Sequence, residues 1–378
     1  MTLSGVLLRA ASSSEAPADI AAQLDPLLAR HDIPGLAAVV LRGEQIVAEG
    51  SAGVRRRGAP DKIGSDDRFH LGSDTKAMTA TLLGLLVDER KLTWKTTLGE
   101  VFGDIVPDLE PAWKAVTFPQ VLAHRAGLPA NPGLARMLLL FADSSPLPEQ
   151  RRKATVRALG DDPEYPPGTK FQYSNIGYIV AGAALEKISG QSWEDLMRAR
   201  LFGPLGIASG GFGAPRSTAT QRHPWGHAAD GKPADPSLFG NADNPAVFGP
   251  AGTAHMTMRD WSRFIALHLR GHPANPRREA KLLRPETFAA LHTPAPGETY
   301  AGGWAHVTRS WAKGPRAEDL GRVLTHAGSN TMWFCVAWLA PEIDFAVIVA
   351  SNSGSEGAEA ACDAAASELI KKFALLPP

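Results

Sequence analysis

Ser73 and Lys76 stand three residues apart within the sequence FHLGSDTKAMTA. Side chains three apart on a helix lie on one face, so this spacing predicts that the hydroxyl and the amine are neighbours. A serine hydroxyl is a weak nucleophile near neutral pH, and a partly desolvated lysine beside it can accept or relay its proton. The same pattern also arises where a serine caps a helix and an exposed lysine follows, so S-x-x-K alone decides nothing.

A second candidate group is Tyr173-Ser174-Asn175, which directly precedes a helical run. A phenol beside a lysine ammonium is expected to have its phenolate favoured, which would make Tyr173 a general base. Asn175 is placed to bind either the lysine or a substrate carbonyl. The alternative is a tyrosine in a loop and an asparagine that caps the helix.

The third group is His326-Ala327-Gly328-Ser329, which lies on or just before an apolar strand-like run. We expect the backbone N–H of Ser329 to join that of Ser73 in binding an oxyanion. Gly328 would let a substrate approach the backbone closely. A strand that carries an incidental histidine is the alternative interpretation.

Together the three groups resemble the motifs of the serine β-lactamase and penicillin-binding-protein superfamily, which are S-x-x-K, Y-x-N and K-T-G or H-x-G. The segments VLAHRAGLP at 121–129 and GPAGTAHMTMRDWSRF at 249–264 are similar to further segments of its class C-like branch. That branch contains esterases and D-amino-acid peptidases as well as β-lactamases. The resemblance covers residues 20–373.

The resemblance implies a role for each matching residue. Ser73 would be the acylated nucleophile, and Lys76 and Tyr173 would share the roles of base and acid. The backbone N–H groups of Ser73 and Ser329 would bind the oxyanion. The residues expected to contact the substrate are Asn175, His326, Gly328 and Ser329.

One departure from the family pattern bears on the substrate. His326 stands where penicillin-recognising members usually carry lysine, and residues 351–367 contain no Lys or Arg. A substrate carboxylate beside the scissile bond needs a nearby cation, which a neutral histidine does not supply. We therefore expect a carboxylesterase or amidase of this fold. A class C-like β-lactamase, a D-amino-acid peptidase or DD-peptidase, and more remotely a non-catalytic ligand-binding member remain as alternatives.

Elements at both ends of the chain are expected to position these groups. Apolar runs and short turns predict two strand hairpins, and helices are predicted before the first and after the second. They indicate an α/β fold of the α+β type, with one antiparallel sheet flanked by terminal helices. The predicted hairpins cover 36–54 and 331–351, and the predicted terminal helices cover 16–31 and 356–373.

The middle of the chain has a different pattern. Residues 73–90 are apolar around most of a helix, which predicts a buried central helix. Further helices are expected at 176–189 and 193–202, and Gly/Pro-rich loops at 203–253 and 293–318. We expect an α/β lobe made of 1–70 and 297–378, a mainly helical lobe at 71–296, and the active site between them.

The composition of the chain bears on which classes of partner are expected. The 378 residues contain 39 basic and 39 acidic side chains, so the formal net charge is zero. A nucleic-acid partner is not expected, because binding to phosphates depends on excess positive charge. No apolar run approaches the roughly 18 residues that cross a membrane. The expected partner is a small ester, amide or lactam, with no cofactor, and the sequence leaves the oligomeric state open.

Histidine and cysteine spacing gives no strong metal or redox signal. The pairs His223/His227 and His268/His272 lack the H-E-x-x-H arrangement of zinc hydrolases. Cys335 and Cys362 lie in apolar surroundings and are interpreted as buried free thiols. A short apolar stretch at residues 3–8 is either the remnant of an export signal or a lead-in without structure. A periplasmic or secreted location is slightly favoured over the cytoplasm.

Overall fold

The structure is a computed structural model that describes residues 16–107, 109–218, 222–237 and 242–374. The described strands are β1 (Ala18–Asp19), β2 (Gly35–Arg42), β3 (Gln45–Gly53), β4 (Arg68–His70), β5 (Gly211–Phe212), β6 (Gly226–His227), β7 (Pro233–Ala234), β8 (Ala254–Thr257), β9 (Tyr300–Ala301), β10 (Trp304–Thr308), β11 (Arg322–Ser329), β12 (Phe334–Ala340) and β13 (Phe345–Ser351).

The described α-helices are α1 (Ala21–His31), α2 (Thr75–Asp88), α3 (Leu98–Phe102), α4 (Phe118–Leu122), α5 (Leu134–Ala142), α6 (Leu147–Gly160), α7 (Asn175–Ser189), α8 (Trp193–Leu196), α9 (Gly203–Leu205), α10 (Gly249–Gly252), α11 (Met258–Gly271), α12 (Pro285–Leu291) and α13 (Glu356–Phe373). A π-helical turn at Met197–Phe202 continues α8, and a 3₁₀ turn at Gly72–Asp74 leads into α2.

The main sheet joins the two ends of the chain. Its strand order is β1-β3-β2-β13-β12-β11-β10-β9. Strand β2 pairs antiparallel with β13, so that Val40 lies opposite Val347. The predicted antiparallel sheet is confirmed, with one difference: the two-residue strand β1 adds to β3 in the parallel direction.

Strand β2 shows why this sheet is covered on both sides. Its side chains alternate between the two faces, as strand geometry requires. Leu36, Ala38 and Val40 pack in the cluster with α1 and α13, while Val39 and Leu41 pack in the cluster that contains α2 and α11. A continuous apolar run such as LAAVVL is typical of a strand that is buried on both faces.

Helix α13 covers the first face with small side chains. Half of its buried residues are alanine, and Leu369, Ile370 and Phe373 lie near its end. The helix has the predicted bounds, 356–373, because the alanine and leucine spacing repeats with the helical period. Cys362 on α13 and Cys335 on β12 are both free and buried, which confirms their interpretation as thiols of the core.

Helix α2 lies on the opposite side of the sheet and is buried from Thr75 to Leu86. Its polar side chains are satisfied within the core: the Thr79 hydroxyl donates to the carbonyl of Pro250, and the Thr81 hydroxyl to that of Ala77. The predicted buried central helix is therefore confirmed, although its α-helical part begins at Thr75.

The region 293–318, predicted as a loop, is partly strand. Strands β9 and β10 extend the main sheet beyond β11. The turn between them is Gly302-Gly303, and both residues have positive φ values, +55° and +87°. A Cβ on Gly303 would lie 2.4 Å from the backbone nitrogen of Ala77, so glycine permits this turn to pack on α2. The high glycine and proline content of this region led to the prediction of a loop in place of these short strands.

Several predictions lie beyond what the fold tests. The apolar stretch at residues 3–8 lies outside the described residues, so the compartment stays a prediction, and so does the division into two lobes. In the described part of the chain, no helix has the length and apolarity needed to cross a membrane.

Candidate active site

Two glycines bring the serine-bearing turn against strand β11. Gly72 has a φ of +47°, and a Cβ on it would lie 2.4 Å from the backbone nitrogen of Ser329. A Cβ on Gly328 would lie 2.0 Å from the carbonyl oxygen of Leu71. Only glycine allows both approaches. The backbone segments that carry the N–H groups of Ser73 and Ser329 are therefore neighbours.

Lys76 is fully buried one turn after Ser73. Its Nζ lies 3.0 Å from Ser73 Oγ, 2.7 Å from Asn175 Oδ1 and 2.6 Å from the carbonyl oxygen of Ala251. Burial lowers the pKa of Lys76 well below its ordinary value. Burial also raises the pKa of the neighbouring Asp74 carboxyl well above its usual range. Both changes favour the uncharged forms of the amine and the acid.

Tyr173 lies beside Ser73, but its pKa differs from the sequence-based expectation. Burial raises that pKa well above its ordinary value, and a hydrogen bond to Ser73 opposes the rise only in part. The Lys76 Nζ lies over the ring, 4.8 Å from its centroid. The expectation of a favoured phenolate is therefore wrong: the buried hydroxyl stays a protonated phenol, because desolvation outweighs the hydrogen bond to Ser73.

Asn175 is the first residue of α7 and is oriented from two sides. The helix is capped by Ser174, whose Oγ accepts from the backbone N–H of Gly177 at 3.0 Å, so Asn175 is not the cap. The Asn175 side chain accepts from Lys76 and donates from Nδ2 to Asn131 Oδ1 at 2.8 Å. Of the two expected contacts, the structure shows the one to the lysine.

His326 is buried within strand β11 and is neutral. Its Nε2 lies 3.0 Å from the hydroxyl of Tyr300. Burial lowers the pKa of His326 to about 3. The imidazole therefore supplies no positive charge to the site near neutral pH.

An aromatic wall of His124, Tyr178 and Tyr300 surrounds Tyr173, and the sequence reasoning did not assign it. The His124 ring centroid lies 4.3 Å from that of Tyr173 and 4.7 Å from that of Tyr300. The His124 Nδ1 accepts from the backbone N–H of Ser174 at 3.0 Å. His124 lies in the segment VLAHRAGLP, so the family resemblance offered a signal for it, whereas Tyr300 lies in the region taken for a loop.

One histidine of each pair considered as metal ligands has other partners. His227 Nδ1 lies 2.7 Å from the carbonyl oxygen of Asn352, and its Nε2 accepts from the backbone N–H of Arg57. His268 Nδ1 lies 2.8 Å from Nε2 of His292. Over the ranges that the structure describes, no group of three or more His, Cys, Asp or Glu side chains is arranged to hold a metal ion.

Comparison with known proteins identifies the family. The family model described as "Beta-lactamase" matches residues 20–370, which is nearly the whole chain. The chain belongs to the beta-lactamase family. The predicted superfamily and fold class are thereby confirmed, and the chain is a serine hydrolase of the beta-lactamase fold.

Two relatives illustrate the range of this family. Penicillin-binding protein 4 of Amycolatopsis lactamdurans is 30% identical over 300 residues, which cover 77% of this chain and 74% of that protein. Unguisins hydrolase ungD' of Aspergillus campestris is 25% identical over 348 residues, which cover 89% of this chain but only 61% of that protein. The chain is thus similar both to a penicillin-binding protein and to a hydrolase of unguisins.

A solved structure of a D-stereospecific amidohydrolase from Streptomyces sp. has the same fold. Its TM-score is 0.70 at 21% sequence identity, and the match covers 92% of this chain and 98% of that one. At this identity the likeness establishes the fold of the beta-lactamase family and nothing finer.

Proposed function

We propose that this protein hydrolyses small uncharged esters through an acyl-enzyme on Ser73. The observation that carries the proposal is the environment of Lys76. Two of its three neighbours, Asn175 Oδ1 and the Ala251 carbonyl, are oxygens that accept hydrogen bonds. A neutral amine has two N–H bonds to donate to them, which leaves its lone pair facing Ser73 Oγ. The lowered pKa of Lys76 favours that neutral form.

The reaction follows from these contacts. Ser73 Oγ attacks the ester carbonyl while its proton passes to Lys76 Nζ, and the oxyanion receives hydrogen bonds from the N–H groups of Ser73 and Ser329. Tyr173 donates its phenolic proton to the leaving oxygen, and Lys76 then restores that proton. Water attacks the acyl carbonyl, its proton moves through the same two groups, and Ser73 leaves with its own proton restored.

The proposed preference for uncharged substrates rests on the missing cations. His326 is neutral near pH 7 because burial lowers its pKa to about 3. Residues 351–367 contain no Lys or Arg. A carboxylate next to the scissile bond would therefore be desolvated without a partner, which costs free energy. β-Lactam and DD-peptide substrates carry such a carboxylate, and simple esters do not.

A D-stereospecific amidase is the second candidate. The fold permits this activity, because the Streptomyces D-stereospecific amidohydrolase has the same fold and this chain covers 98% of it. The same acyl-transfer steps would serve an amide, with Tyr173 protonating the leaving nitrogen.

The test compares three types of substrate with purified protein and a Ser73→Ala control. They are a p-nitrophenyl ester of a short acid, the D and L forms of an aminoacyl p-nitroanilide, and a chromogenic cephalosporin. We expect Ser73-dependent ester hydrolysis to exceed lactam opening by at least about 10²-fold, since an unpaired buried carboxylate costs several kcal/mol. Hydrolysis of the D-anilide that is faster than hydrolysis of the ester and of the L-anilide would favour the D-stereospecific amidase. Fast lactam opening would contradict the argument from the missing cations.

A labelling experiment separates catalysis from simple ligand binding. An activated phosphonate should modify Ser73, and mass spectrometry should locate the adduct on the peptide that contains it. Resistance to labelling combined with no hydrolysis of any of the three types of substrate would favour the non-catalytic alternative.

A further inference from the structure

A carboxylate outside the catalytic group connects the two backbone segments of the oxyanion site. Asp243 lies between strand β7 and helix α10, far in sequence from both segments. Its Oδ2 lies 3.0 Å from Nε2 of His70. On the other side, Asn330 Nδ2 donates to Asp243 Oδ1 at 3.0 Å. His70, Asp243 and Asn330 are called the Asp243 bridge below.

The first arm of the bridge reaches the serine-bearing turn. The backbone N–H of Gly72 donates to Nδ1 of His70 at 3.1 Å. A backbone amide always donates, so Nδ1 must be unprotonated, and the proton of the neutral ring must sit on Nε2. Asp243 accepts from that Nε2–H group and so holds the tautomer that Gly72 requires. The His70 side chain is fully buried, so water does not replace either contact.

The second arm reaches the end of strand β11. Asn330 directly follows Ser329, and its Oδ1 accepts from the backbone N–H groups of Met332 and Trp333, both at 3.1 Å. These contacts fix the turn after the strand, and the contact from Asn330 Nδ2 ties that turn to Asp243. The carboxylate therefore contacts both a residue beside Ser329 and the ring that supports Gly72, the neighbour of Ser73.

We propose that Asp243 is a positioning residue, which fixes the distance and direction of the Ser73 and Ser329 N–H groups through His70 and Asn330. The inference rests on the proposed function, because only acyl transfer uses these N–H groups as an oxyanion site. The three residues of the Asp243 bridge touch neither the nucleophile nor the substrate, and the inference gives them a role in catalysis. Their effect is on the transition state, since oxyanion donors act on charge that develops there.

The decisive variant is Asp243→Asn. An asparagine has one oxygen and one NH₂ group, whereas the carboxylate accepts on both sides. If the NH₂ group faces His70, the ring must move its proton to Nδ1, and it then no longer accepts the hydrogen bond from the backbone N–H of Gly72. If it faces Asn330, the new NH₂ group and Asn330 Nδ2 are both donors, so the hydrogen bond between these two side chains is lost. We expect kcat to fall about 10- to 100-fold, as for a small displacement of a catalytic group, with KM changed less than about threefold.

Two substitutions of His70 separate tautomer control from packing. In His70→Asn the amide oxygen lies near the position of Nδ1 and can still accept from Gly72. In His70→Gln the amide lies near the position of Nε2, contacts Asp243 and leaves Gly72 without an acceptor. We expect His70→Asn to keep the higher kcat, and Asp243→Asn to cost less in the His70→Asn background. Loss of packing alone predicts neither result.

Two further measurements complete the test. A boronic acid that forms a tetrahedral adduct on Ser73 should lose affinity in Asp243→Asn by about the same factor as kcat/KM, because both depend on the oxyanion donors. Nitrogen-15 NMR of labelled histidine should show the Nε2–H tautomer of His70 in the wild type, and its loss in Asp243→Asn if the new NH₂ group faces His70. If that tautomer is kept while kcat falls, the broken contact is the one to Asn330. The control is Asp230→Asn, which removes an exposed carboxylate paired with Lys232 and should change nothing.

The outcomes distinguish this inference from the proposed function. If the wild type neither hydrolyses esters nor binds the boronic acid, the proposed function fails, and the NMR result alone still decides whether Asp243 sets the His70 tautomer. If the wild type is active and Asp243→Asn keeps its kcat, its boronic acid affinity and the Nε2–H tautomer, the inference is wrong. A loss confined to thermal stability would also contradict it.

Discussion

Helix α2 contributes to two buried polar clusters. Burial lowers the pKa of the basic groups in both clusters, but the two differ in whether a substrate can reach them. Lys76 lies near the start of α2, and Thr81 lies further along, with its hydroxyl 3.0 Å from Nε2 of His268. His268 in turn contacts His292, whose ring stacks on that of His272. Burial is the largest cause that lowers the pKa of Lys76 and of each of these three histidines.

The difference between the clusters lies in what surrounds the base. Lys76 has an acceptor for each N–H bond of the neutral amine and a partly exposed serine on its remaining side. The three histidines are all buried, and Nδ1 of His292 has no partner within the described ranges. A lowered pKa therefore provides a proton acceptor only where a substrate reaches it. At the histidine cluster the same effect only keeps the rings uncharged.

The largest effect is expected from Lys76→Met, which removes the amine and keeps an unbranched side chain. Ester kcat/KM should fall by roughly 10³- to 10⁴-fold, the range of a general base that acts in the transition state. Stopped-flow or steady-state hydrolysis measures the loss, and circular dichroism checks the fold. A variant within tenfold of the wild type would show that the amine is as irrelevant to catalysis as the histidine cluster.

A smaller loss is expected from Tyr173→Phe, which keeps the ring in the aromatic wall and deletes the hydroxyl. We expect kcat to fall by about 10²- to 10³-fold, because the leaving group loses its proton donor. The loss should be smaller for p-nitrophenyl esters than for alkyl esters, since nitrophenolate leaves without protonation. Equal losses for both leaving groups, measured side by side, would contradict the assignment of the phenol as an acid.

The smallest effect concerns stability rather than rate. The pKa of His268 is about 3 in the folded protein, against about 6.5 for an unperturbed histidine. The unfolded chain therefore binds more protons below pH 6.5, so the free energy of unfolding falls as pH drops from about 6.5 towards 3, by roughly 1.4 kcal/mol per pH unit for this histidine. His272, also at about 3, adds to the same slope.

Urea unfolding at several pH values measures this slope. The matched variant is His268→Gln, which is polar and does not titrate, and its slope should be smaller by about one proton. An unchanged slope would mean that His268 is not the titrating group. The charges acting on the neighbouring His272 and His292 come from Arg278, Arg322 and other histidines, so carboxylates do not offset the effect.

The sequence predicted most of the elements that hold the site and fewer of its contacts. Helix α13 and the hairpin of β12 and β13 follow from local periodicity, which a single sequence displays directly. Strands β9 and β10 were missed because they are short and joined by two glycines. Their place is determined by pairing with β11 and by packing on Ala77, which are long-range contacts.

The catalytic residues themselves were found by motif, but their electrostatics were not. The pKa of Tyr173 is determined mainly by the burial of its own hydroxyl, which a motif does not reveal, and Lys76 Nζ lies over the ring of Tyr173. The Asp243 bridge was missed for a related reason. Asp243 and His70 are separated by 173 residues, and neither belongs to a motif, so only the fold shows that they meet.

The pairing of β2 with β13 has a consequence for the order in which the enzyme becomes active. Strand β13 lies near the centre of the main sheet, yet it is synthesised more than 250 residues after Ser73, Lys76 and the turn between them. Until it emerges from the ribosome, β2 and β12 each lack the neighbour that pairs with one of their edges. The nucleophile is therefore translated early, but the sheet that positions it is completed only near the end of synthesis. A nascent chain stalled before residue 345 would carry every catalytic side chain without the complete sheet that aligns them.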